Sequence, residues 1–308
     1  MRSALFILLT VPALLAEDSP GRLTAHVPEF NSLFDPGARV ERVAEGFEFT
    51  EGPVWSPQHF LLFSDIYGDR IYKWTQDGGK SVFRESAGNP NGLTFDQHGC
   101  LLICEQKKRR LIRLGSDNQI TVLADKWDGK ALNCPNDVVV RRDGTIYFTD
   151  PYWKFPPGSV QELAFQGVYR ISPKGKLSVE AKDFGLPNGI GLSPDEKTLY
   201  IGDTRRRKIY AFDVARNGSL TGQRLLADLQ STEKGAVDGM KIDELGNIYS
   251  TGPGGVWVIS KTGQHLGTIQ APEIPANCAW GGVDGRTLYM TARTGLYRIR
   301  VNVTGVRP

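Results

Sequence analysis

The chain is poor in the residues that most enzyme chemistries lean on. It has four cysteines and four histidines among 308 residues. The cysteines, at 100, 104, 134 and 278, include no C-x-x-C pair, which excludes the usual zinc and dithiol motifs. Cys100 and Cys104 fall on one expected strand, about 13 Å apart if extended, too far to bridge each other. All four are expected as free or buried thiols. No G-x-S-x-G elbow occurs, which argues against a serine hydrolase. Gly252-Pro253-Gly254-Gly255 is not followed by Gly-Lys-Ser/Thr, so it reads as a strand-connecting turn and not a phosphate cradle. The net charge of +3 is too small to imply a nucleic-acid partner.

Long apolar runs are also missing, apart from the first sixteen residues. Arg2 precedes the apolar stretch Ala4 to Leu15, which is too short to span a bilayer. Ala16 is small and stands before Glu17 and Asp18. This pattern predicts a signal peptide over 1–16, with an uncleaved anchor as the alternative. It implies export to a periplasm or outside the cell, and no membrane attachment once the signal is removed. Residues 17–38 are expected as an N-terminal extension and 39–308 as one domain.

What the chain does have is a phrase repeated six times. It reads Glu51-Gly52-Pro53-Val54, Asn91-Gly92-Leu93-Thr94, Asn136-Asp137-Val138-Val139, Asn188-Gly189-Ile190-Gly191, Asp238-Gly239-Met240-Lys241 and Asn277-Cys278-Ala279-Trp280. Successive phrases lie 40, 45, 52, 50 and 39 residues apart, by difference of their positions. That period suits one four-stranded propeller blade. After each phrase comes a turn, often Asp-Gly as at Asp143-Gly144. Short strands rich in aromatic and β-branched residues follow, such as Ile146-Tyr147-Phe148 and Gly167-Val168-Tyr169-Arg170. The expected fold is all-β, a six-bladed β-propeller of four-stranded blades. The last blade lacks an outer strand after residue 301. Arg39 to Val43 fits the gap, so an N-terminal strand is expected to close the ring and remove two exposed edges.

Ring closure would bring six equivalent residues to one axis: one Glu, one Asp and four Asn. Hard oxygen donors carrying two negative charges suit a hard cation. Strand direction places the loops after each second strand on the same face. The longest, Asp150 to Gln166, carries Tyr152, Trp153, Lys154 and Phe155 and reads as a lid or as a rim loop that merely packs. The four histidines, at 26, 59, 98 and 265, fall outside the phrase and are expected at surfaces or turns. The basic runs Lys107 to Arg110 and Arg205 to Arg207 are expected as solvated rim charge, or as an attractor for an anionic substrate. Cys134 and Cys278 both sit beside the phrase, though in blades that are not neighbours.

Glu-Gly-Pro-Val-Trp at 51–55, Pro-Asn-Asp-Val at 135–138, Pro-Asn-Gly at 187–189 and Asp-Gly-Met at 238–240 resemble the motifs of the gluconolactonase / senescence marker protein family. That family includes sugar lactonases and luciferin-regenerating enzymes. The resemblance runs from about residue 40 to 301 and rests on four motifs in order at blade spacing. It implies a divalent cation on the propeller axis, most often calcium, with magnesium, manganese or zinc as alternatives. The implied ligands are Glu51, Asn188 and Asp238, with Asn136 beside the metal, touching substrate or a bound water. Some sugar lactonases carry an arginine two residues before that Asn; Cys134 stands there in this chain.

The expected chemistry is hydrolysis of a lactone, with Asp238 as base and a metal-bound hydroxide as the rival nucleophile. Asn136, Asn91, Trp153 and Cys134 are the candidate substrate contacts. For Asn91 and Asn277, hydrogen bonding to inner-strand ends is the simpler role. Two other functions compete: a metal-dependent phosphotriesterase on the same scaffold, and a propeller that only binds a ligand.

Overall fold

The computed structural model describes residues 21–154 and 157–308. The expected signal peptide and Phe155 lie outside these residues. Six antiparallel sheets form a ring. The first blade orders Thr50–Trp55, Leu61–Asp65, Arg70–Thr75 and Gly79–Glu85 from the axis outward. The next three repeat this order, with inner strands Pro90–Phe95, Val138–Val140 and Pro187–Leu192. The fifth and sixth begin at Met240–Ile242 and Asn277–Gly281.

Burial explains this order. Inner strands and the strands beside them are almost wholly buried, as Leu61–Asp65 and Leu101–Glu105 show, whereas the outer strand Gly79–Glu85 is mostly exposed. A strand buried on both faces needs no polar alternation, and an outer strand does. Between neighbouring blades lie apolar clusters, such as Val54, Leu62, Ile71, Leu93, Phe95 and Ile103 between the first two.

The sixth blade is completed as expected. Glu41–Glu45 pairs antiparallel with Gly295–Arg300, joining the two ends of the ring. What lies before it has more structure than its sequence announced. Arg22–Ala25 adds a fifth strand to the fifth blade, pairing Leu23 with Ile269 and Thr24 with Thr268. The short helix Pro28–Ser32 then buries Phe30 over Gly267, where any side chain would collide with the phenyl ring. Residues 302–306 cross the opposite face of the ring, where the Val306 N–H donates to Ile242 O. No helix among the described residues is long and apolar enough to cross a membrane.

Two expectations follow. Phe30→Ala opens a cavity in the cluster shared by the last two blades and should cost about 3 kcal/mol, read as a lower urea midpoint. His265 stacks on Trp257 at 3.6 Å and lies 4.3 Å from the His26 ring. Burial, then His26, pushes the His265 pKa down to about 4. The fold therefore accepts the neutral ring. This contribution is complete above about pH 6.5 and is lost as pH falls toward 4. Thermal melts across that window should show a slope that His265→Gln flattens.

Candidate functional site

The axial residues are held in place by buried carboxylates. Asp65, Asp150 and Asp203 end the second strands of blades one, three and four, and all are buried. Asp65 accepts the N–H groups of Glu48 at 3.1 Å and Phe49 at 2.9 Å. Asp150 accepts those of Asn133 at 2.8 Å and Cys134 at 2.7 Å. Asp203 accepts those of Gly185 at 2.7 Å, Leu186 at 3.1 Å and Arg206 at 3.1 Å. Each clamp grips the chain two or three residues before an axial side chain: Glu51, Asn136 and Asn188. Buried N–H groups need acceptors, and a short carboxylate supplies two at once. Burial pushes the Asp150 carboxyl up to about 7 against the pull of these donors. In blade two the equivalent acid is Glu105, which pairs with Arg110 and Lys108 instead.

Neighbouring blades are laced at the axis. The Gly92 N–H donates to Asn136 O at 2.7 Å, the Gly189 N–H to Asp238 O at 3.1 Å, and the Gly239 N–H to Ala276 O at 2.9 Å. Hydroxyls of second strands add to this: Ser64 Oγ donates to Asn91 O and Thr149 Oγ1 to Asn188 O. The glycine after the axial residue is a steric requirement. A Cβ on Gly52, which has a positive φ of 50°, would lie 1.9 Å from Asn91 O, and one on Gly239 would lie 1.9 Å from the Asn277 carboxamide carbon. Blades three and six have no glycine there; they carry Asp137 and Cys278.

On the axis, Glu51 and Asp238 are within hydrogen-bonding reach of each other, with the Asn188 amide beside Asp238. Asn188 Nδ2 donates to Thr204 Oγ1 at 3.0 Å, and that hydroxyl donates to Val237 O at 2.6 Å, which fixes the amide's orientation. Glu51 Oε2 accepts the Gly52 N–H at 2.8 Å and Asn277 Nδ2–H at 2.9 Å. Burial pushes Glu51 up to about 7. Asp238 keeps some surface open as a residue, yet the burial of its carboxyl and the Glu51 charge push it well above the usual carboxylate range. Two carboxyls this close must share a proton or hold a cation between them. Glu51, Asp238 and Asn188 offer only oxygen donors, and their chemistry fits a hard divalent ion. Among the described residues no group of three or more His, Cys, Asp or Glu forms a ready metal cage; this set depends on amide oxygens as well as carboxylates.

The other candidates are placed as follows. Asn136 and Asn91 are buried at the axis, their carbonyls taken by the Gly92 N–H and by Ser64 Oγ. Trp153 is 37% exposed on the segment after Asp150. There Tyr152 OH donates to Ser159 O and the Tyr152 N–H to Gln166 Oε1. Cys134 is fully buried, its thiol pushed up by burial and by Asp150, and offers no surface to a ligand. All four cysteines are free. Cys278 Sγ points at Tyr249 O, 3.4 Å away. The basic runs are largely tied down: Arg109 to Glu162, Arg110 to Glu105, Arg206 to Asp183 and Arg207 to Ser231 O.

Asn277 does more than cap its own strand. Its Oδ1 accepts the Cys278 N–H, as expected of a strand-end residue, but its amide reaches over to Glu51 of the adjoining first blade. Sequence reasoning also passed over Asp137, Lys241 and the clamp acids. Asp137 could have been found as the carboxylate that stands where four of the six phrases have glycine. The clamps recur as Phe-Ser-Asp, Phe-Thr-Asp and Ile-Gly-Asp. On the far side of the axial ring opens an apolar funnel of about 1020 Å³ including its mouth, walled by Val54, Phe95, Val138, Ile190 and Trp280, with Lys241 projecting into it.

Asp203→Ala should leave one buried and two partly buried N–H groups without their acceptor and destabilise the protein by about 2 kcal/mol, measured by urea unfolding.

Comparison with known proteins places this geometry. Residues 49–294 match the family described as SMP-30/Gluconolactonase/LRE-like region. A gluconolactonase of Zymomonas mobilis is 31% identical, over 92% of this chain and 87% of its own. The structure of a gluconolactonase from Xanthomonas campestris superposes with a TM-score of 0.84 at 32% identity, covering 92% of this chain and 95% of that one. Regucalcin from Agrobacterium tumefaciens, a calcium-binding protein, shares the fold with a TM-score of 0.75 at 21% identity, over 88% and 96% of the two chains.

Proposed function

Since the chain belongs to the SMP-30/gluconolactonase/LRE-like family, we propose that it is a hydrolase that opens sugar lactones at the axial site. The observation that carries this reading is the Glu51 carboxyl, buried on the axis and held by the Gly52 N–H and the Asn277 amide, with Asp238 beside it and the Asn188 amide oriented by Thr204. It is also favoured by the lactonase names of relatives spanning most of the chain. Glu51, Asp238 and Asn188 would hold a divalent cation, with Asn136 next to it; calcium is the first choice because every donor is an oxygen. The bound ion would supply Lewis acidity toward the lactone carbonyl.

The chain's own residues do the rest. Asn136, rooted by Gly92 and by the Asp150 clamp, orients the substrate. Water adds to the carbonyl carbon and loses a proton to Asp238. The ring C–O bond then breaks, and the ring oxygen takes that proton to leave a hydroxy acid. Burial and the Glu51 charge raise the proton affinity of Asp238, as a base near neutral pH requires, while a bound cation lowers it again. Trp153, 37% exposed on the segment after Asp150, would offer an aromatic surface to the sugar ring.

The test is proton release from a panel of aldonolactones by chelated protein with each divalent metal restored. Calcium should restore turnover, and Glu51→Gln and Asp238→Asn should each lower kcat by about 100-fold or more. Near wild-type turnover in either variant overturns the site. Cleavage of phosphotriesters with no cleavage of lactones overturns the substrate class.

A further inference from the structure

Beneath the Glu51–Asp238 pair lies a third carboxylate. Asp137 is 2% exposed and occupies the position that glycine holds in four of the blades. Its Oδ1 accepts the Val138 N–H at 2.9 Å, whereas its Oδ2 is shut away from solvent without a well-formed hydrogen bond. Burial pushes the Asp137 carboxyl up, opposed by the Lys241 charge, the N–H groups of Val138 and Ile190, and the Asn277 amide; keeping a carboxylate ionised there calls for a nearby positive charge. Asn277 lies between the two levels: its amide donates to Glu51 and also favours the ionised form of Asp137. The offsetting charge is Lys241. It enters the channel from the fifth blade, its ammonium donates to Met240 O at 2.9 Å, and its charge favours the ionised forms of both Glu51 and Asp137. A lysine projecting into an apolar funnel is otherwise unexplained.

We infer that Asp137 and Lys241 form the floor of the axial site and set the charge of the cation it selects. This rests on the metal-site reading above. With a cation bound and the carboxyls of Glu51, Asp238 and Asp137 all ionised, one ammonium leaves a net charge of two negatives, which a divalent ion neutralises. Without Lys241 the deficit is three, and a trivalent ion becomes the matching guest. Asp137 and Lys241 are positioning and selectivity residues; neither needs to touch substrate.

The experiment uses chelated full-length protein. Calcium affinity is measured by calorimetry and terbium affinity by tryptophan-sensitised luminescence, with Trp55 and Trp280 beside the channel as antennae. Lys241→Met should raise the terbium-to-calcium affinity ratio on the order of tenfold, as one unit charge removed a few ångströms away in a partly buried site implies. Lys241→Arg should keep the wild-type ratio. Asp137→Asn should lower calcium affinity by about tenfold. The double variant Asp137→Asn/Lys241→Met has the wild-type charge and should recover the wild-type ratio, and it tests the idea even if one single variant fails to fold. Folded variants whose ratios match wild type overturn the inference while leaving the metal site standing. Wild-type protein that binds neither ion overturns both.

Discussion

The molecule depends on one repeated interaction, a buried carboxylate at the end of a second strand holding the N–H groups of the loop that enters the inner strand beside it. Asp65, Asp150 and Asp203 do this for Glu51, Asn136 and Asn188. The loops would otherwise bury unpaired donors at the most crowded place in the ring. With the clamps in place, Glu51, Asn136 and Asn188 start from fixed backbones, and side chains contributed by three different blades keep one geometry. The lacing of glycine N–H groups to the next blade works in the same sense, since it sets how closely the blades approach the axis.

Crowding carboxyls on that axis carries an electrostatic cost. Burial pushes both Glu51 and Asp238 up, and for Asp238 the Glu51 charge adds to it. Amides soften the repulsion: Asn277 for Glu51, and Asn188 for Asp238. Folding energy held in the sheets and inter-blade clusters keeps these groups together, and a ligand of opposite charge gains what the fold has strained to assemble. The fold thus gives up stability at the axis, where the two carboxyls must share a proton or meet an opposite charge.

Much of the fold is legible in the chain itself. The six-fold phrase predicts the blades, their order and the closing strand, which the pairing of Glu41–Glu45 with Gly295–Arg300 matches to within two residues. The glycine pattern is visible as well, yet its meaning is not. Gly239 makes room for the Asn277 amide, a contact between blades that no local pattern encodes. Cys134 stands beside the phrase and looks available, but the Asp150 clamp holds its backbone and its thiol is packed in the core. The segment before residue 39 reads as an extension because four residues of strand and five of helix are too short to show a period.

The sequence by itself determined what repeats: strand alternation, turn chemistry and the polar residue that opens each blade. These are set by hydrogen bonds and side-chain periods within about fifty residues of chain. Tertiary structure alone decided what joins one blade to another. The Asn277–Glu51 hydrogen bond joins residues 226 apart. The Lys241 charge is felt by Asp137 from a different blade, and the fifth strand of blade five comes from the far end of the chain. Such contacts follow from ring closure, which places distant residues a few ångströms apart and removes the water between them.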